Sequence, residues 1–215
     1  METAELVQLI KTRRSIRRFQ DKPVPEDLLV QAIDAATWAP NAGNGQNWLF
    51  FIFLNKKVIN AVADAIDADM KTILSWPEMV NARHPPRTDV LRTAPALIVV
   101  ATSASVTNPG FGGFQDNAVI KRAKTDPKAN RMSKRDVGGR IQSTSAAVAY
   151  LILVLHQMGL GSLWMAGALH AKEEIEKVLK LPPCLDVVNL VPVGYPAQNP
   201  KGCRKPVSEV YQVIK

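Results

Sequence analysis

The stretch Arg13-Arg14-Ser15-Ile16-Arg17-Arg18-Phe19 places four guanidinium groups and one hydroxyl within six residues. It follows a segment over residues 3–12 in which Leu6, Leu9 and Ile10 share one face of a predicted helix. A guanidinium group matches phosphate oxygens with two hydrogen bonds at a time, and a neighbouring hydroxyl adds a further donor. A basic run of this kind is also typical of a solvated helix end, so the spacing alone leaves both interpretations open.

Three later stretches accompany this one in a defined order. The first is a polar loop that leads into a predicted strand, Pro40-Asn41-Ala42-Gly43-Asn44-Gly45-Gln46-Asn47-Trp48. The other two are Gly159-Leu160-Gly161-Ser162-Leu163-Trp164 and Leu190-Val191-Pro192-Val193-Gly194-Tyr195-Pro196. In their order and spacing, the four stretches resemble the nitroreductase family of FMN-dependent oxidoreductases. The resemblance runs from about Leu6 to Val207 and is weakest between Ser103 and Arg140.

The resemblance implies an α+β fold with a central, mostly antiparallel sheet flanked by helices. It further implies one domain over residues 1–215, with a variable cover segment at about 103–140, and an intertwined homodimer. A helix predicted from about Gly139 to Met158 is apolar on nearly all sides and must be covered on all of them, so a partner subunit is expected there as well.

Hydrophobic periodicity predicts the remaining elements. A helix is expected from Pro25 to Thr37, a fully buried strand from Trp48 to Leu54, a helix from Lys56 to Leu74 and a strand from Ala94 to Ala101. Further along, a short helix is expected near Asn117 to Lys124, a C-cap at Gly159, a helix from Glu173 to Leu179 and a strand from Val187 to Val193.

Composition excludes several classes of protein. With 215 residues, 47% of them hydrophobic and 21% charged, the chain is typical of a globular protein. Glu2 and Glu5 stand where a signal peptide would carry positive charge, and the apolar run from Ala146 to Leu155 is short for a bilayer span. Cys184 and Cys203 show no metal-ligand spacing. We therefore expect a cytoplasmic protein with reduced thiols, no metal and no membrane association.

The net charge of +8 is concentrated in one segment. Residues 121–140 contain eight basic and two acidic side chains, a net charge of +6. The segment has no aromatic residue for base stacking and no motif of the common nucleic-acid modules, so nucleic acid is not expected as a partner. Attraction of an anionic ligand and simple solvation of a loop both remain open.

Carried over residue by residue, the resemblance assigns contacts with the FMN phosphate and ribityl chain to Arg13, Arg14, Ser15 and Arg17. Arg204 corresponds to the final phosphate-binding residue, with Lys205 as the alternate. Arg18 has no counterpart and is expected to face solvent.

The resemblance assigns contacts with the isoalloxazine ring to a loop of the neighbouring subunit, namely Pro40, Asn41, Ala42, Asn44 and Gln46. For the side chains of Asn44 and Gln46, capping of their own loop is the alternative interpretation. The backbone at Met165, Ala166 and Gly167 is expected to face the reactive edge of the flavin. Ser143, Ala149 and Tyr150 differ from the polar residues that relatives carry on the long helix, so no polar contact is transferred to them.

The implied activity is hydride transfer from NADH or NADPH, through FMN, to a small oxidised acceptor such as a nitroaromatic compound or a quinone, by a ping-pong mechanism. The flavin carries the chemistry, and no side chain, including the three histidines, is expected to be catalytic. FMN is expected rather than FAD because no dinucleotide fingerprint is present. Three alternatives remain, namely a reductive dehalogenase, a flavin-degrading enzyme, and a flavin-binding protein without significant turnover.

Overall fold

The structure, a computed structural model, describes residues 2–77, 88–102 and 127–214, with side chains from residue 138 onward in the last range. The helices are α1 (Thr3–Thr12), α2 (Glu26–Ala36), α3 (Lys56–Leu74), α4 (Asp89–Thr93), α5 (Pro127–Gln157) and α6 (Lys172–Leu179). The strands are β1 (Trp48–Phe53), β2 (Ala96–Thr102), β3 (Gly161–Ser162) and β4 (Asp186–Gly194). Short 3₁₀ helices span Ala42–Asn44, Gly167–Ala171 and Val207–Glu209. The short helix expected near residues 117–124 lies outside the described residues.

The four strands form one sheet in the order β1-β2-β4-β3, and every pair is antiparallel. Trp48 lies opposite Thr102, and Ala96 lies opposite Val193. A β-bulge shifts the pairing of β2 with β4 between Val100 and Ala101. This arrangement confirms the predicted α+β fold with a central antiparallel sheet.

Helices cover both faces of the sheet, because alternate residues of the central strands point to opposite sides. Leu97 and Val99 of β2 join a core with α3, α4 and α6. Ile98 and Val100 join a second core with α2 and α5. All seven residues of β2 are buried, as expected for an apolar strand with a neighbour on each side.

The prediction of a fully buried first strand is wrong for the single chain. Only Trp48 of β1 is buried, and the five residues after it are half-buried. The physical reason is the position of β1 at the edge of the sheet, where one side of the strand has no neighbour among the described residues.

The predicted helix from Lys56 to Leu74 is confirmed with the same bounds, and the Asn55 side chain caps its start by accepting a hydrogen bond from the Lys57 amide (2.9 Å). Helix α5 begins at Pro127, well before the predicted Gly139. The part of the expected cover segment from Pro127 to residue 140 is therefore helical, while residues 103–126 lie outside the described part. Proline suits a first helical position, and Lys, Arg, Met and Ala favour helix in this polar stretch.

Helix α5 crosses the molecule between α2 and the sheet. Its part from Gly138 to Gln157 is long and apolar enough to span a bilayer by length and composition, a test that core helices of globular proteins also pass. Ala147, Val148, Leu151 and Leu155 are fully buried, but only 39% of the apolar part is buried within the chain. The helix ends as predicted, with Gly159 in the left-handed region at φ +77°.

Gly161 on β3 allows the N-terminal stretch to approach the sheet. A Cβ atom added there would lie 2.8–2.9 Å from the side-chain carbons of Ile16, which is itself buried. We expect Gly161→Ala to lower the free energy of unfolding by about 1–3 kcal/mol through overpacking, as measured by urea denaturation. Gly138→Ala is the control, because nothing lies within 4 Å of a Cβ at that helical position. Equal stability of the Gly161→Ala variant and the wild type would contradict the crowding.

Candidate functional site

The N-terminal basic stretch lies beside the two glycine-containing stretches from the second half of the chain. The amide of Ile16 donates a hydrogen bond to the Ser162 carbonyl (2.9 Å), and Ser15 pairs with Ser162 in a parallel bridge. Phe19 forms an antiparallel bridge with Pro196. Three of the four stretches singled out in the sequence therefore meet at one edge of the sheet.

Three guanidinium groups come together on this edge, from both ends of the chain. Burial, then the neighbouring charges of Arg204 and Arg14, hold the pKa of Arg13 below its ordinary value. The Arg14 guanidinium also lies against Gly202, where a Cβ atom would approach its Nε to 2.8 Å. The C-terminal tail thus brings Arg204 to the two arginines that end α1. We call Arg13, Arg14 and Arg204 the arginine cluster.

The contacts of the arginine cluster leave its positive charge uncompensated. Arg14 Nη1 donates to the carbonyls of Lys11 (2.7 Å) and Arg13 (2.9 Å), and Arg204 Nη1 donates to the Cys203 carbonyl (2.7 Å). These acceptors are neutral, and within the described part of the chain no carboxylate raises the pKa of Arg13. An arrangement of like charges of this kind favours the binding of an anion.

A cleft of about 810 Å³ opens beside the basic stretch. Arg17 and the expected Met165 and Gly167 line it, together with an apolar wall of Phe19 and Trp164. Arg18, expected to face solvent, is exposed and also lines the cleft. The sequence reasoning missed several lining residues, none of which belongs to a motif: Asp89, Val90 and Thr93 on α4, and Ala197 and Gln198 after β4.

The segment from Leu163 to Ala168 forms one side of this cleft and is held at both ends. At its start, the Met165 amide donates to the Leu190 carbonyl of β4 (3.0 Å). At its end, the ring Nδ1 of His170 lies 2.6 Å from a carboxylate oxygen of Asp69 on α3. Ala166 and Gly167 between these anchors are exposed, so their backbone is accessible to a ligand.

The loop around residues 40–46 is folded by its own amide side chains. The Gln46 amide donates to Asn41 Oδ1 (3.0 Å), and Gln46 Nε2 donates to Asn44 Oδ1 (3.2 Å). Asn44 and Gln46 have φ values of +49° and +48°, in the left-handed region that asparagine tolerates better than most residues. Within one chain, loop capping is therefore the role that Asn44 and Gln46 fill.

Ser143 attaches this loop to α5. Its Oγ accepts a hydrogen bond from the Ala42 amide (3.1 Å) and donates one to the Gly139 carbonyl (2.8 Å). No polar contact had been transferred to Ser143 from the resemblance. A serine hydroxyl that faces a loop amide gives no signal in the sequence, because the two residues are far apart along the chain.

The arginine cluster lies near the C-terminal end of α5, and the loop lies near the middle of the helix. Thr12, the residue before Arg13, contacts His156 near the C-terminal end of the helix, whereas Ala42 contacts Ser143. At a rise of 1.5 Å per residue, the two contact points are roughly 20 Å apart along the helix axis. The structure therefore brings together one group of predicted site residues, namely Arg13, Arg14, Ser15, Arg17, Met165, Ala166, Gly167 and Arg204, next to the exposed Lys205. It leaves Pro40, Asn41, Ala42, Asn44 and Gln46 elsewhere on the same chain.

A sequence model of the Nitroreductase family matches residues 10–195, which is most of the chain. The chain belongs to the nitroreductase family.

Individual relatives match the chain over most or all of its length. An NADH dehydrogenase of Thermus thermophilus is 30% identical over 187 residues, covering 87% of this chain and 84% of the relative. The crystal structure of a BluB-like flavoprotein from Clostridium difficile 630 superimposes with a TM-score of 0.78 at 25% identity, covering 100% of both chains. An iodotyrosine deiodinase bound to FMN and 3-iodo-L-tyrosine shares the fold, with a TM-score of 0.67 at 24% identity, covering 98% of this chain and 97% of that one.

The bond from the Ala42 amide to Ser143 predicts a measurable role for that hydroxyl. We expect Ser143→Ala to loosen the loop around residues 40–46 and to lower stability by about 0.5–1.5 kcal/mol, the usual contribution of one hydrogen bond. Hydrogen exchange at the Ala42 amide should become faster. Ser145→Ala, a half-buried serine on the same helix, is the matched control. Unchanged exchange at Ala42 would contradict the assignment.

Proposed function

We propose that this chain is an FMN-dependent oxidoreductase that passes hydride from NADH or NADPH to a small oxidised acceptor such as a nitroaromatic compound or a quinone. The observation that carries the proposal is the arginine cluster, together with a cleft of about 810 Å³ whose lining includes Arg17 of the same basic stretch, in a chain of the nitroreductase family. FMN is bound in the iodotyrosine deiodinase structure of the same fold.

The residues of the site fit this cofactor. A phosphate monoester carries about −1.5 to −2 charges at pH 7, which the arginine cluster can balance with charge-assisted hydrogen bonds. The cleft has the volume typical of small-molecule sites, and Phe19, Leu163 and Trp164 offer it an apolar wall suited to an aromatic ring. A single cluster for one phosphate favours FMN over a dinucleotide.

Bound FMN would supply hydride transfer between a pyridine nucleotide and an acceptor, and the chain's own residues bind and orient the reactants. Arg13, Arg14 and Arg204 would hold the FMN phosphate, with Lys205 as the alternate to Arg204. Ser15 would contact the ribityl chain. Arg17 brings positive charge into the cleft, where it would stabilise negative charge on a bound ligand.

The exposed backbone of Ala166 and Gly167 can donate hydrogen bonds to the ring without any side chain. Because one cleft would serve both donor and acceptor, the two substrates would bind in turn. That order of binding is the basis of the proposed ping-pong mechanism.

We also propose that the protein is a homodimer in which each site is built from both chains. In one chain the loop from Pro40 to Gln46 is roughly 20 Å along α5 from the arginine cluster, so it can complete the site only in a partner chain. Large apolar side chains are exposed where a partner could cover them, with Trp38 at 81% exposure. The others include Leu6, Val7 and Ile10 on α1, Ile141 and Tyr150 on α5, and Val207, Val210, Tyr211, Val213 and Ile214 in the tail.

Three alternative functions remain candidates on the same site, namely a reductive dehalogenase, a flavin-degrading enzyme, and a flavin-binding protein without significant turnover. Oxidation of NADH and of NADPH with a nitroaromatic compound, a quinone or a halogenated phenol as acceptor separates them. Reduction of only the halogenated compound would favour the dehalogenase, and loss of flavin absorbance under oxygen would favour flavin degradation. A cytoplasmic location and the control of acceptor choice by the segment at about 103–140 stay predictions.

The phosphate assignment is tested by the double variant Arg13→Ala with Arg204→Ala. Each charge-assisted bond is worth about 1.5–3 kcal/mol, so we expect FMN to bind at least about 100-fold more weakly, as measured by fluorescence titration. Lys57→Ala with Lys71→Ala removes the same number of charges from exposed positions on α3 and should leave FMN affinity unchanged. Full FMN content in the arginine variant would overturn the assignment.

The homodimer is tested by sedimentation at micromolar concentration. We expect the wild type to sediment as a dimer and Tyr150→Glu to shift it toward a monomer that binds FMN poorly, because a charge would be buried in an apolar interface. Ala68→Glu adds one charge on an exposed position of α3 and serves as the control. A wild-type monomer that still binds one FMN per chain would refute the two-chain site.

A further inference from the structure

Of the two histidines in the described part of the chain, His156 lies beside the arginine cluster. It lies in the last turn of α5, half-buried, with Nε2 3.2 Å from the Thr12 hydroxyl. That hydroxyl is also 2.8 Å from the Gln8 carbonyl, to which it can donate its one hydrogen. With that hydrogen donated to the Gln8 carbonyl, the tautomer of His156 that fits carries its hydrogen on Nε2, donated to Thr12, and leaves Nδ1 to take or release a proton.

When no anion is bound at the arginine cluster, the charges around the His156 ring disfavour its protonation to the imidazolium form. Burial, then the guanidinium groups of Arg13 and Arg14, lower the pKa of His156 from its ordinary value of 6.5. The negative end of the α5 dipole acts in the opposite direction, and within the described residues no carboxylate is among the groups that shift this pKa. The ring is therefore neutral at pH 7 in the chain alone.

We propose that His156 is a fourth basic group of the phosphate site, protonated at Nδ1 when a phosphate is bound and neutral when it is not. This inference rests on the proposed function, because it takes the FMN phosphate as the ligand. A phosphate dianion bound at the arginine cluster offsets the positive charge that otherwise disfavours the protonated form of His156. The proton comes from solvent, and no other bond forms or breaks at the ring.

The consequence is that FMN and one proton bind cooperatively. By linkage, a ligand that raises the pKa of a group binds more tightly when that group is protonated. FMN affinity should therefore rise as the pH falls through the raised pKa of His156 toward its lower value in the free protein. FMN affinity can change by at most about tenfold per pH unit, because a single proton is involved.

The test is calorimetric titration of the apoprotein with FMN between pH 6 and pH 8, in two buffers of different ionisation enthalpy. We expect the wild type to take up a larger fraction of a proton than His156→Gln, and the ratio of their FMN dissociation constants to grow severalfold as the pH falls. The second ionisation of the FMN phosphate, near pH 6, contributes to both proteins and cancels in the comparison. Titration with riboflavin, which has no phosphate, should show no difference.

Equal proton uptake by the wild type and His156→Gln would overturn the role of His156, as would an equal difference with riboflavin. In either case FMN still binds, and the proposed function stands. A wild-type chain that fails to bind FMN at all would instead overturn the proposed function. Should His156→Gln not fold, NMR titration of the three histidine rings in the wild type, with and without FMN, decides the matter. One ring must then show a pKa that rises on FMN binding.

Discussion

The close approach of Ile16 to Gly161 is the constraint on which the rest of the site depends. Only a residue without a side chain allows the N-terminal stretch to lie so near β3 and to form the bond from the Ile16 amide to Ser162. That pairing fixes the direction of the backbone on both sides of Ile16. Arg13 and Arg14 then point toward the C-terminal tail, and Arg17 reaches the cleft. A packing requirement at one glycine thus determines where several charges lie.

The arginine cluster stores repulsion that the chain alone does not relieve. Burial, and then the charges of Arg204 and Arg14, lower the pKa of Arg13. In the proposed function the FMN phosphate would supply the opposite charge, and the apolar wall of the cleft would be a second source of affinity. His156 experiences the same field and so becomes sensitive to whether the anion is present.

Helix α5 fixes the distance between the loop at residues 40–46 and the arginine cluster of the same chain. It packs on the sheet along one face, carries Ser143 at one contact point and His156 at another, and presents exposed apolar residues on the remaining surface. Because the helix is rigid, the loop at residues 40–46 cannot reach the arginine cluster of its own chain. The proposed two-chain site accounts for this distance and would also cover the exposed residues of α5.

The sequence by itself determined the local elements and the family. The bounds of α3, the apolar run of β2 and the glycine that ends α5 follow from periodicity and backbone preference, which are properties of neighbouring residues. Only the tertiary structure decided which distant residues meet. Arg204 beside Arg13, the α4 residues in the cleft, Ser143 at the Ala42 amide and the edge position of β1 depend on long-range packing. The hydrophobic pattern of a helix or strand indicates which of its faces is buried. It does not indicate which side chains of other elements pack against that face, and the chemistry of this site depends on those contacts.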